Sequence, residues 1–128
     1  MVYLACPFSD PNPAVRQQRF DAACQATAAL MWAGLKVFSP ITHSFPLMRY
    51  GLAGDWKFWE SYDRAHLEAC TALAVLMLDG WKESVGVQAE LAIAAELELP
   101  VMLIVPASVG IRAESAPAAG TGVRVEVM

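Results

Sequence analysis

The side chains suited to chemistry in this sequence are Glu90, Asp63, Asp79 and His43, joined by Ser84 and Gly86 at a turn. Glu90 stands out by its neighbours. The residues three and four positions away are Gly86, Val87, Ile93 and Ala94, so no basic residue on its own helix can pair with it. Ser84 is placed to cap that helix, and Gly86 lets a ligand approach its first turn closely. Such a helix start attracts anions and polar oxygens. Asp63 interrupts an apolar stripe, where an ionised carboxylate is costly unless paired. Two readings stand: the stripe turns there toward a polar crevice or a partner such as His43, an arginine or a ligand hydroxyl, or the carboxylate merely orients a loop. His43 is a candidate acid, base or ligand contact, set against an ordinary polar surface group.

The elements that must hold these groups follow from the apolar pattern. Ala72 to Leu78 is a continuous apolar run and reads as a buried strand, with Asp79 at its carboxyl end and Gly80 turning the chain into the Glu90 helix. Val2 to Cys6 reads as a first strand, ended by Pro7-Phe8-Ser9-Asp10-Pro11. Asn12 before Pro13 signals a helix start, and Gly34 closes that helix after about Ala33. Arg16 and Arg19 lie in its early turns, where the helix dipole disfavours cations, so a solvated face, a partner carboxylate or a phosphate must account for them. Leu35 to Phe38 reads as a second strand stopped by Ser39-Pro40, and Ile41 to Gly54 as a long loop. Asp55 is placed to cap a third helix carrying Trp56, Trp59, Asp63, Leu67 and Cys70 at helical spacing. Its aromatics read as core or subunit interface, with one, such as Trp59, open to stacking on a planar ring at the crevice edge. Pro100 opens a strand from Val101 to Val105; residues 107–121 read as a mobile connection, and Val123 to Val127 alternates as an edge strand would.

This alternation predicts a single α/β domain over 1–128, a parallel sheet of four to five strands with helices on both faces, flavodoxin-like or Rossmann-like. Ligands of such sheets collect outside the carboxyl ends of the strands, where Asp79, Ser84 and Glu90 can face one crevice. Composition narrows the partners. The net charge of -4 gives no basic footprint for a nucleic acid polymer, while a nucleoside or mononucleotide remains open. Hydrophobic residues form 56% of the chain, above the typical ~45–50%, which points to a homo-oligomer interface as well as a core. Cys6, Cys24 and Cys70 lack metal-ligand spacing and read as buried thiols of a reducing cytoplasm. The sequence offers no metal motif, membrane span or signal peptide.

Tyr3-Leu4-Ala5-Cys6-Pro7-Phe8, Asp63 before Leu67, and Ser84-x-Gly86-Val87-x-x-Glu90-Leu91-x-x-Ala94 together resemble the nucleoside 2-deoxyribosyltransferase superfamily. The serine, glycine and glutamate spacing is similar to its deoxynucleoside 5'-monophosphate N-glycosidase branch. With Ser39-Pro40-Ile41-Thr42-His43-Ser44 and Leu78-Asp79-Gly80-Trp81, the pattern also resembles a small group of uncharacterised bacterial and phage proteins placed beside those enzymes. The resemblance implies that Glu90 attacks the anomeric carbon of a sugar, the base leaves, and water or a second base takes the sugar. It implies a supporting carboxylate at Asp63, with Asp79 or His43 as further proton donors. It implies that Tyr3 lies near the sugar and the nucleophile, that Pro7 and Phe8 belong to the site's first loop, and that Ser84 and Gly86 hold the sugar's 5' end. No cofactor is implied. The loop Ser39 to Gly54 and the stretch Gly80-Trp81-Lys82-Glu83 depart from the characterised enzymes, which leaves the base pocket open. Two other classes of function stand beside this one: a nucleotide-binding or sensing module without catalysis, and a structural oligomer.

Overall fold

The computed structural model describes residues 1–111 and 124–127. Its elements are β1 (Val2–Ala5), α1 (Pro13–Trp32), β2 (Val37–Phe38), α2 (Pro40–Met48), α3 (Trp56–Glu68), β3 (Ala72–Leu76), α4 (Val85–Glu96), β4 (Val101–Ile104) and β5 (Val125–Val127). Because strand side chains alternate, β1 sends Val2 and Leu4 to one face of the sheet and Tyr3 and Ala5 to the other. On the first face, Ala74 and Leu76 of β3 complete a layer beneath the small residues Ala22, Ala23 and Ala26 of α1. On the second, Leu73 and Val75 of β3 meet Leu67 of α3 and Val87, Ile93 and Ala94 of α4. Each face of the sheet is thus covered by helix, a three-layer sandwich of the flavodoxin-like kind.

The strand order is β2-β1-β3-β4-β5. The first four strands are parallel, with Tyr3 opposite Phe38 on one side and Leu73 on the other. The fifth pairs antiparallel with β4, so the sheet is mixed rather than wholly parallel. The expected connection 107–121 begins in order, since Pro106–Val109 form a 3-10 turn; its part from 112 onward lies outside the described residues. No helix of the described residues is long and apolar enough to cross a membrane.

Helix α1 starts as the sequence predicts: the Asn12 side chain accepts from the Ala14 N–H, and Pro13 occupies the first helical position. The stretch expected to be a loop from Ile41 to Gly54 is instead helical from Pro40 to Met48. Ser39 caps it by accepting from the Thr42 N–H, and Pro40 sits at its first position. Ser39-Pro40 is therefore the same helix-start signal as Asn12-Pro13, although proline also ends a strand. Pro46 inside the helix, together with threonine and serine, hides its period. Cys6 and Cys70 are buried, whereas Cys24 is exposed on α1, contrary to the expectation that all three are buried.

Candidate functional site

Between β1 and β3 the chain order of the sheet reverses, and helices leave the two strands toward opposite faces. A crevice opens at the carboxyl ends of strands at such a point. The protein has a cavity of about 560 Å³ there, bounded by the loop after β1, by α2, by α3 and by the start of α4. That volume lies within the range of small-molecule sites.

Glu90 stands one turn into α4 and is 5% exposed, its carboxyl reaching the cavity. The hydroxyl of Tyr3, a residue with no exposed surface at the centre of the sheet, donates to Glu90 Oε2. Strand alternation explains the meeting: Tyr3 faces the α4 side, and α4 returns over β1 and β3. Burial pushes the Glu90 carboxyl up to about 8; the Tyr3 hydrogen bond opposes this and the charge of Asp63 adds to it. Burial, followed by the two carboxylates, raises the Tyr3 hydroxyl above its ordinary range.

Asp63 is 7% exposed and also lines the cavity. It hydrogen-bonds to no group of the described residues, so the interrupted stripe turns toward the cavity there rather than bonding to a loop. Burial pushes its carboxyl up to about 7. Two acids, both raised, thus share one chamber. Ser84 caps α4 by accepting from the Val87 N–H at 3.2 Å, and Gly86 follows it on the cavity wall. Phe8 and Trp59 also line the cavity, and the Trp59 indole is fixed by donating to the Ala53 carbonyl at 2.7 Å.

Three expected site residues stand elsewhere. Strand β3 ends at Leu76, short of Leu78, so Asp79 lies in the exposed turn and its side chain does not line the cavity; its carbonyl accepts from Arg19 at 3.1 Å. His43 lies on a side of α2 turned from the cavity and is exposed, with Nε2 hydrogen-bonded to the Tyr62 hydroxyl at 2.9 Å. Pro7 is fully buried behind the wall. Tyr3 does not line the cavity, yet its bond to Glu90 sets it beside the expected nucleophile.

Other contributors escape a reading of the sequence. Arg19 donates to the carbonyls of Phe8, Ser9 and Asp79, tying the loops after β1 and β3 together. This accounts for a cation in an unfavourable early turn without a carboxylate or phosphate. Asp55, Lys57 and Glu83 line the cavity too, and Asp55 makes no side-chain cap bond to α3. Helix α2 contributes Pro40, Ile41, Ser44 and Met48. The Ser39-Pro40 signal was the cue that Ser44 belongs to a helix face. Among the described residues, no group of three or more His, Cys, Asp or Glu side chains is arranged to hold a metal ion.

Residues 1–106 match a family model described as Domain of unknown function (DUF1937), which spans the strands and helices that build the cavity. No curated protein matches the chain.

Proposed function

The chain belongs to the DUF1937 family, and we propose that it cleaves the N-glycosidic bond of a nucleoside or nucleoside 5'-monophosphate through Glu90. The observation that carries this reading is the Glu90 carboxyl, buried, held by Tyr3 and presented to the cavity that Asp63 also lines. The resemblance of the Ser84, Gly86 and Glu90 spacing to the nucleoside 2-deoxyribosyltransferase superfamily supports it.

In the proposed reaction, an ionised Glu90 oxygen bonds to the anomeric carbon as the bond from that carbon to the base nitrogen breaks. The base leaves with the bond's electron pair and takes a proton from Asp63. A glycosyl ester of Glu90 remains. Asp63, now ionised, removes a proton from water or from an incoming base, whose oxygen or nitrogen displaces Glu90 and restores the original configuration. The Tyr3 hydroxyl favours the ionised form of Glu90 and fixes which oxygen attacks. The sugar's 5' end meets the α4 start, where the helix dipole and free N–H groups suit an oxygen or a phosphate.

A panel of nucleosides and 5'-monophosphates incubated with wild type and Glu90→Gln, with and without a free acceptor base, tests the reading. Base release is expected from the wild type and is expected to fall by roughly 10⁴-fold in the variant. Equal release by both proteins overturns the role of Glu90. The raised carboxyls favour a second reading, a nucleotide-binding module whose neutral acids donate to ligand hydroxyls. Binding without base release selects that one.

A further inference from the structure

Helix α2 turns one side to the cavity, and the residues on that side are Pro40, Ile41, Ser44 and Met48. Three of these are apolar. Ser44 is 8% exposed, and its hydroxyl bonds to no group among the described residues. A serine inside a helix ordinarily returns its hydroxyl to the carbonyl four residues back, which here belongs to Pro40. Ser44 makes no such bond. The hydroxyl, without a protein partner, keeps its access to the cavity, so it is free to pair with whatever fills that space and goes unpaired only if a ligand displaces water without replacing its bond.

We infer that Ser44 reads the polar edge of the nucleobase, selecting among bases for the reaction proposed above. The opposite walls divide the ligand by chemistry. The α4 side offers Ser84, the free N–H groups of a helix start and the Glu90 carboxyl, which suit the sugar and its 5' substituent. The α2 side offers an apolar surface, with Met48 and Ile41 flanking a lone hydroxyl. A planar heteroaromatic ring lies against such a surface, and a hydroxyl both donates and accepts, so it can satisfy a ring nitrogen, a carbonyl or an exocyclic amine. A base that leaves the hydroxyl unpaired is bound more weakly by the cost of that buried group, which makes one small side chain a discriminator.

The inference rests on the N-glycosidase reading but is tested apart from it. Calorimetric binding of purine and pyrimidine nucleosides, together with base-release kinetics, is compared in wild type, Ser44→Ala and Ser44→Cys. Removing the hydroxyl is expected to weaken the preferred base about tenfold, or 1.4 kcal/mol, and to leave 2-deoxyribose 5-phosphate binding unchanged. Because the hydroxyl has no protein partner, the melting temperature of Ser44→Ala is expected to equal or exceed the wild type's. Unchanged preference among the bases, or an equal loss for every ligand including the base-free sugar phosphate, overturns the role of Ser44. Failure of every panel member to bind overturns it together with the glycosidase reading. Binding that shifts with Ser44 while no base is released overturns only the catalytic step.

Discussion

Glu90 sets a conflict between stability and chemistry at the scale of one residue. In the unfolded chain its carboxyl titrates near 4.5, and in the folded protein near 8. Between those values the native state holds a proton that the unfolded chain has released, so stability falls as pH rises through the window. Asp63, raised from 3.8 to about 7, acts in the same direction. Glu90→Gln removes the Glu90 share, and its melting temperature is expected to exceed the wild type's by a margin that widens from pH 5 to pH 8. A margin that stays constant across a thermal-unfolding series would mean that Glu90 is not the titrating group. Glu90 was legible in the sequence because its helical neighbours offered no cation. Tyr3 lies 87 positions away, and no local pattern could supply that hydrogen bond; the family resemblance alone brought it near the site. His43 and Asp79 misled for the opposite reason. Their residue types suit acid–base work, but helix phase turns one toward Tyr62 and an early strand end leaves the other in solvent.

At the scale of elements, the start of α4 has the form that its sequence predicts, a serine cap followed by a glycine on the cavity wall. A Cβ built on Gly86 would lie 3.8 Å from Trp56 and 4.0 Å from the Ser84 hydroxyl, ordinary contacts that require no shift. The fold therefore does not demand glycine there. Alanine is the better helix former by up to about 1 kcal/mol, so Gly86→Ala is expected to keep or raise the melting temperature. Its methyl would occupy ligand space, and the Michaelis constant is expected to rise about tenfold, the effect of roughly 1.4 kcal/mol. Unchanged kinetics would place the ligand away from this turn. Helix α2 was the element least legible beforehand. Ser39-Pro40 signals both the end of a strand and the start of a helix, and the proline, serine and threonine that follow obscure the period that would decide between them. Ser44 went unread with it, since a serine in a loop carries no expectation about which way it faces.

For the whole molecule, the alternation of apolar strands with helices was enough to derive the layers, because each strand must be covered on both faces. The antiparallel direction of β5 could not be read, since a short alternating segment pairs either way. The site also depends on a tie between distant loops. The three carbonyls that accept from Arg19 come from both sides of the sheet's reversal point. Gly80 makes room for it, since a Cβ there would stand 2.9 Å from Arg19 Nη2. Arg19→Met is expected to lower stability by about 1–3 kcal/mol, measured by denaturant unfolding; no change would mean that the carbonyls find water equally well.

The pairing of β1 with β3 also bears on how the chain is made. Val2 sits opposite Ala72, so the two central strands are seventy positions apart. Strand β1 must wait for about seventy further residues before its main partner exists. Contacts of such long separation are slow to form. Tyr3, on that waiting strand, meets Glu90 later still. The groups that shape the chemistry are thus assembled from segments synthesised well apart in time, and the cavity cannot take its form while the chain is still growing through α3.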